Sequence, residues 1–459
     1  MKLTTTAEHV ETALTPLAAF QLLRDRASAG RECFLLESAQ GRSRTARYSF
    51  IGLTPFFSFR SKGNRCEFTD VESGEPVRQE SGNPYRLLQE KFLQFEAGRV
   101  SGLPFSDGIV GYLSYDAGRF FEKLPDTLPD DLGLPDSHFM APGEIVAFDH
   151  LQKKTFLITH GRGNEAGGTR NLLESGKENA KPPTAHITKV EENFPEKEFC
   201  AAVERAKEHI RAGDVFQVVV SRRKQLEFEG DGLAFYAKLR EINPSPYLFH
   251  LDFGRVQITG SSPEMLVRLE GSQLTTRPIA GTRPRSADAE EDEKLKVRLL
   301  LDEKERAEHL MLVDLHRSDL SRVAKNGSVK VDEFMNVEKY SHVQHIVSNV
   351  SGELRDGKSA FDALEACFPA GTVTGAPKVR AMELIEELER HRRGPYGGVV
   401  GYFDFSGNMD FAITIRSVVV AGSKAYLQAG AGIVYDSVAE KEFAETESKM
   451  AALVAAVGA

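Results

Sequence analysis

Short apolar runs bounded by polar residues and glycines recur through residues 32–70 and predict strands, for example at Glu32–Glu37 and Phe56–Arg60. A helical stretch follows at Tyr85–Phe95. Glycine-bounded strand patterns return at Gly108–Tyr115 and Glu144–Phe148. From Gly161 to Pro183 the apolar signal stops. GRGNEAGGTRNLLESGKENAKPP is polar and rich in Gly, Asn and Lys, which predicts an exposed, mobile linker or loop. The pattern divides an N-terminal part, residues 1–160, from a C-terminal part, residues 190–459, with the linker at 161–189.

The C-terminal part opens with a predicted helix over Glu196–Ala212. Pro195 stands at its start and Gly213 just past its end, as helix termini prefer. Strands are predicted at Val215–Ser221, Val256–Thr259, Met265–Leu269, Val399–Phe405, Ala412–Val420 and Ala425–Gln428. A long helical zone runs over residues 292–324, and Pro377–His391 and Val438–Val457 read as helices. Helices and strands come in clusters without strict alternation, which favours α+β over a doubly wound parallel sheet. No repeat of period 20–50 is present.

Composition narrows the class. The chain has 459 residues, 41% apolar and 27% charged, a globular balance with length for two or three domains. Its net charge of −9 argues against nucleic acid as the main partner. The four cysteines are far apart and form no CxxC pair, so a reducing compartment is expected. The N-terminus lacks an apolar signal region, and no run of 18 apolar residues occurs, so a soluble, cytoplasmic protein without membrane contact is expected.

Several familiar motifs fail. GRGNEAGG falls in the linker and follows no strand, so it is no dinucleotide loop. GTVTGAPK has the wrong spacing for a phosphate loop, and HVQH lacks the carboxylate of a metal helix. No nucleophile elbow exists, so the chain has no glutaminase signature of its own. Two carboxylate pairs at spacing i, i+3 stand out: Glu305 with Glu308, and Glu442 with Glu445. Each pair shares one helical face, and Lys449 falls on the second. Both helices carry apolar residues beside the acids, HLMLV after Glu308 and Phe443, Met450 and Val454 around Glu445. Half-buried carboxylates need partners, and two such helices converging offer oxygen ligands for Mg2+. PAGTVTGAPK, GPYGGVVGY and QAGAGIVYDS supply small-residue loops where backbone N–H groups can meet an anion, and Arg416 offers a carboxylate fork. Solvated faces, turns and caps are the ordinary reading of each feature alone; together they describe a pocket for a small polyanion.

These stretches resemble the chorismate-utilising enzymes. DVFQVVVSRR, NPSPYLFHLDF, ITGSSPEML, TTRPIAGTRPR, EKERAEHLMLVDL, FPAGTVTGAPKVRAME and QAGAGIVYDS follow one another in family order. The resemblance implies an α+β fold of two large packed antiparallel sheets with helices outside and the active site in a cleft. It implies Mg2+ held by Glu308 and Glu445, with Glu305 and Glu442 binding through water. It implies His345 near the reacting ring, Thr372 and Gly430, Ala431 and Gly432 on substrate carboxylates, and Tyr396 and Arg416 near the enolpyruvyl group. Lys449 would neutralise the acid-rich site, and Glu264 would protonate the departing ring hydroxyl. Neighbouring carboxylates are expected to raise its pKa.

Within the family, members that add water resemble one another in a Lys where this chain has Gln217, which cannot act as a base. Members that make 4-amino-4-deoxychorismate usually carry a nucleophilic Lys where PIAGT has Ala280. The pair therefore resembles the anthranilate synthase large-subunit branch, in which ammonia attacks chorismate at C2 and pyruvate is eliminated. The folate-branch 4-amino-4-deoxychorismate synthase is the alternative. A glutamine amidotransferase subunit is the implied ammonia source. FLLES followed by RYSFIG is similar to the branch's tryptophan feedback site, with Glu37 on the ammonium of free tryptophan, Ser38 hydrogen bonding and Arg47 nearby. Pro246, Tyr247 and Leu248 of NPSPYLF would line the indole. One block departs: DLGRNDLGR of the family reads DLHRSDLSR here, and Arg317, Asp319 and Arg322 are expected to pair locally.

Overall fold

The computed structural model describes residues 1–26, 32–38, 47–70, 78–161, 166–177, 182–340 and 343–455. Two long strands, Tyr48–Lys62 and Ser137–Asp149, pair antiparallel over their whole length, with one register shift between Pro55 and Phe57. That irregularity bends the pair, so its two halves belong to two different sheets.

The first sheet contains Tyr48–Leu53 and Glu144–Asp149. On one side it continues through Lys154–His160 to Thr5–Val10. On the other it runs through Cys33–Glu37, Tyr247–Asp252, Val256–Ser262, Ser417–Ala421, Lys424–Ile433, Gln217–Gly230 and Ala185–Glu192. The second sheet contains the other halves of the long strands. It extends through Arg65–Asp70 to Arg78–Ser81 on one side. On the other it passes through Ile109–Leu113, Val399–Phe403, Met409–Ile413, Met265–Glu270 and Gln273–Thr276 to Val343–Glu353. That last strand is flanked by Ile279–Pro284 and Lys330–Lys339.

The sheets bury their facing sides against each other. Phe34, Phe50, Phe249 and Leu251 of the first meet Val110, Tyr112, Met140 and Val400 of the second in one apolar cluster. Helices cover the outer faces. Pro16–Arg26 and Leu233–Ile242 pack on the first sheet, and Pro84–Phe92, Glu303–Ser321 and Ala360–Cys367 on the second. Glu196–Ala212 and Lys378–Leu388 close over the start of Gln217–Gly230. The fold is α+β with two packed antiparallel sheets, as the sequence reading expects.

Local expectations fare unevenly. Glu196–Ala212 forms as predicted, its last turn closed by Gly213 at φ 84°, a left-handed conformation that glycine adopts without strain. The single helical zone of 292–324 is two helices, Ala289–Leu301 and Glu303–Ser321, because Asp302 ends one and caps the other through the N–H groups of Lys304 and Glu305. The strand predicted over Ala412–Val420 is two, Met409–Ile413 and Ser417–Ala421, broken where Arg416 adopts φ 51°. The segment read as a loop holds a helix, Ala166–Ser175, with Leu173 buried and Thr169 donating to Glu144. Residues 162–165 and 178–181 of that segment, and His342 of HVQH, lie outside the described residues. No helix among the described residues is long and apolar enough to cross a membrane.

Candidate active site

The active-site candidates come from both sheets and from two helices. Glu264 lies between Val256–Ser262 and Met265–Glu270 and is 5% exposed. Burial pushes its carboxyl up to about 8, while Thr372 and the Lys449 charge pull the other way. The expected cause, neighbouring carboxylates, is not the one that acts. Desolvation raises this acid, and the nearby charge is a cation. The Thr372 hydroxyl is the group that faces the Glu264 carboxyl, and neither it nor Glu264 Oε1 makes a well-aligned hydrogen bond among the described residues. Both polar groups therefore keep bonding capacity in a buried place.

His345 stands on Val343–Glu353. Its Nδ1 is 2.9 Å from the Gly281 carbonyl and 3.1 Å from the Thr282 hydroxyl. A carbonyl only accepts, so Nδ1 carries the proton and Nε2 keeps its lone pair. Burial holds the ring below its ordinary pKa, and the Arg416 charge adds to that. Arg416 itself has no ion-pair or side-chain hydrogen-bond partner among the described residues. Burial lowers its pKa, with Tyr396 and Glu445 opposing. Arg416 is therefore coupled by charge to His345, Tyr396 and Glu445.

Lys449 links the next members. It donates to Glu445 at 2.6 Å and to the Gly430 carbonyl at 2.8 Å. Side chains crowd the glycines here. A Cβ on Gly430 would fall 2.9 Å from Val219 and 3.1 Å from the Tyr396 hydroxyl. One on Gly432 would fall 2.3 Å from the Gln217 amide nitrogen. Ala431 between them turns its side chain into the core under the helices. Gln217 pairs in register with Ala376, because PAGTVTGAPK adds a two-residue strand, Gly375–Ala376, to the sheet. That loop is thus pinned by the strand carrying Gln217 rather than standing open. Lys378 after it turns to Asp319, at 2.9 Å.

The acidic pairs lie on facing helices, Glu303–Ser321 and Ala439–Ala455. Burial raises the Glu308 carboxyl, and the charges of Glu305 and Glu445 push in the same direction. Burial also raises Glu442, with Glu445 adding to it. Lys304, 3.7 Å from Glu308, and Lys449 on Glu445 oppose this rise and partly balance the cluster, and carboxylate oxygens suit Mg2+. Two details differ from expectation. Glu445 is exposed at the cleft rather than half-buried. Glu305 points to Arg283, which donates to it at 3.0 Å. As arranged, no three His, Cys, Asp or Glu side chains among the described residues converge closely enough to hold an ion. Glu308 and Glu445 fit an ion that keeps most of its ligands as water and substrate oxygen, as Mg2+ does.

In DLHRSDLSR only Arg317 pairs locally, with Asp314 at 2.9 Å. Asp319 reaches out to Lys378 and Arg322 to the Ala366 carbonyl at 3.3 Å. Burial, followed by the charges of Lys378 and His309, pushes the pKa of His316 down to about 3. His309 bonds Ser348 at 2.7 Å.

A second cavity, of ≈ 750 Å³, opens between the sheets away from the cleft. Its walls include Glu37, Ser38, Arg47, Pro246, Tyr247 and Leu248, all six residues expected around tryptophan. Ser38 presents a buried hydroxyl without a hydrogen-bond partner among the described residues. Glu37 is already engaged: Tyr236 donates to it at 2.5 Å and Arg240 at 2.9 Å. Arg47 is turned to Asp149 at 2.6 Å. Tyr247 donates to Asp410 at 3.0 Å, and Arg268 joins both. Tyr236, Arg240, Arg268 and Asp410 escaped the sequence reading. They stand in unremarkable helix and strand patterns, and only the tertiary fold brings Arg268 and Asp410 to the cavity and Tyr236 and Arg240 to Glu37.

The family model described as chorismate binding enzyme matches residues 31–455. Anthranilate synthase component 1 of Acetivibrio thermocellus is 44% identical, over 96% of this chain and 92% of that protein. The protein of the same description from Thermus thermophilus is 46% identical, over 96% of this chain and 95% of its own length. The crystal structure of anthranilate synthase component I from Streptococcus pneumoniae superposes with a TM-score of 0.80 at 36% identity, covering 98% of this chain and 100% of that one. The menaquinone-specific isochorismate synthase of Escherichia coli superposes at 0.76 with 20% identity over 99% of this chain and 94% of that one, a likeness of fold alone.

Proposed function

The chain belongs to the chorismate binding enzymes, and from that premise we propose that it is the large subunit of an anthranilate synthase. The observation that carries the reading is a pair of buried neutral groups with opposite proton-transfer roles. Glu264 is a buried carboxyl that keeps its proton at neutral pH, and His345 is an imidazole with Nε2 free. One can give a proton and the other can take one. No lysine stands at 217 or 280 to activate water or to attack the ring.

Chorismate would enter with its carboxylates toward Thr372, Gly430, Ala431 and Gly432, and its enolpyruvyl group toward Tyr396 and Arg416. Neutral ammonia adds at ring C2 while the C4 hydroxyl departs with the proton of Glu264 as water. The double bonds shift and 2-amino-2-deoxyisochorismate forms. His345 Nε2 then accepts the C2 proton as pyruvate leaves, and the ring becomes aromatic as anthranilate. Glu308 and Glu445 would hold Mg2+, with Glu305 and Glu442 behind them and Lys449 balancing charge. Bound there, the ion supplies charge neutralisation for the ring carboxylate of the substrate. Ammonia would come from a glutamine amidotransferase subunit.

The large cavity supports tryptophan as a feedback inhibitor. Residues 1–160 would supply one wall of this regulatory site, and residues 190–459 the chorismate-binding cleft. Arg268 in the cavity lies four residues after Glu264, and Asp410 six before Arg416. A ligand there needs differential affinity for two states of these strands to weaken chorismate binding.

The test is incubation with chorismate, Mg2+ and ammonium at mildly alkaline pH, read by fluorescence and mass. Anthranilate plus pyruvate is the expected result, with loss of activity in Glu308→Ala of about 10²-fold or more. An aminated chorismate that keeps its enolpyruvyl group would show the folate-branch reading or an enzyme that stops at the intermediate.

A further inference from the structure

Behind Tyr396 lies an ion pair that none of the chemistry above uses. Glu389, the residue that ends helix Lys378–Leu388, and Arg393, four residues on, have side chains 2% and 1% exposed and meet at 2.6 Å. Such burial is costly for both charges, and a space-filling role would be met as well by apolar side chains. What an arginine adds is a rigid planar fork with donors aimed in several directions at once. Here one arm donates to the Val373 carbonyl at 2.6 Å, and the other to the Val219 carbonyl at 2.8 Å. Both arms thus touch elements of the cleft: Val373 follows Thr372, and Val219 lies on the strand that begins with Gln217. The guanidinium also lies 5.9 Å from the centre of the Tyr396 ring and 4.5 Å from that of Tyr115.

Glu389 extends the same device. Its Oε1 accepts from the backbone N–H of Ser221 at 2.7 Å and from the Ser221 hydroxyl at 2.8 Å. Gln428 donates to that hydroxyl at 2.8 Å. Ser221 is the register partner of Gly430. One buried pair therefore ties together the Thr372 turn, the Gln217 strand, the Gly430 strand and Tyr396.

We infer that Glu389 and Arg393 are positioning residues, which hold Thr372, Gly430 and Tyr396 at the spacing that binds the substrate. This rests on the reading of the cleft given above. Neither side chain touches substrate; each acts through the backbone it fixes, where a displacement near 1 Å costs about 10²-fold in rate.

The test compares wild type with Arg393→Lys and with the double variant Glu389→Leu/Arg393→Met. The double variant removes both charges and leaves apolar volume, but it unpairs the Ser221 N–H and the Val219 and Val373 carbonyls, so it should stay folded with a somewhat lowered melting temperature. Its KM for chorismate should rise and its kcat/KM fall about 10²-fold. Arg393→Lys keeps the charge but cannot span both carbonyls, and should lose about tenfold. A folded double variant or folded Arg393→Lys with wild-type KM and kcat/KM would overturn the inference. Unfolding of both variants would overturn it too, since the pair would then be an element of stability. If wild type itself makes no anthranilate, the functional reading fails, and chorismate affinity by calorimetry decides this point instead. Binding weakened about 10²-fold in the folded variants supports positioning, and unchanged binding overturns it.

Discussion

Glu264 shows how one buried side chain links stability to chemistry. Its folded pKa of about 8 stands above the ordinary 4.5. Below 4.5 both folded and unfolded chains hold the proton, and the group costs nothing. Between 4.5 and 8 the unfolded chain ionises while the folded one does not, so stability drains away as pH rises. Above 8 the loss is complete. Glu264→Gln does not titrate and should therefore gain stability on wild type from pH 5 to pH 8, by a few kcal/mol in urea melts. The same substitution should cut kcat by about 10²-fold or more, since the amide cannot supply the proton. Expressed per neutral ammonia, wild-type kcat/KM should fall above pH 8. Glu37 makes a different point. The sequence reading places it on the ammonium of tryptophan, but Tyr236 and Arg240 already hold it. If its charge meets the ligand as well as Arg240, Glu37→Gln should weaken tryptophan about ten- to hundredfold. The chain has no Trp of its own. Fluorescence of added tryptophan reads that binding without background.

At the scale of the element, the site depends on where helices begin and end. Asp302 caps Glu303–Ser321 and also receives Arg283 at 2.8 Å. Arg283 in turn reaches Glu305. Asp302→Ala removes a cap and one arm of this bridge at the start of the helix that carries Glu305 and Glu308. It should cost about 1–2 kcal/mol in denaturant unfolding and raise the Mg2+ concentration needed for half-maximal activity. Such helices were legible because periodicity and capping are local. Glu196–Ala212 and its glycine stop follow from the sequence alone. The helix Ala166–Ser175 was not legible, because its content is polar and its stability comes from docking. Leu173 is buried by contact with elements far along the chain. The break at Arg416 is likewise invisible in an apolar run. The left-handed backbone there arises where two strands diverge into different sheets.

At the scale of the molecule the two halves of the chain interlace. Cys33–Glu37 pairs with Tyr247–Asp252, and Ile109–Leu113 pairs with Val399–Phe403. Each sheet is therefore built from both sides of the polar segment. A fragment of residues 190–459 exposes unpaired edges at Tyr247–Asp252 and Val399–Phe403, and with them the Phe249 and Val400 faces of the inter-sheet core. Expressed alone it should aggregate or digest rapidly in limited proteolysis, while the full chain resists. A compact, protease-resistant fragment would mean that the long strand pair is dispensable.

By itself the sequence determined the class of fold, most helices and the two acidic faces, and it named six of the residues that line the large cavity. Those properties are written in short-range spacing, side-chain chemistry and ordered blocks. Only the tertiary structure decided which partner each charged group takes. It gave Glu305 to Arg283, Glu37 to Arg240, Asp319 to Lys378, and the buried Glu389 to Arg393. It also decided why Glu264 keeps its proton. Burial and pairing are set by residues distant along the chain, and charge energetics follow burial far more than sequence spacing.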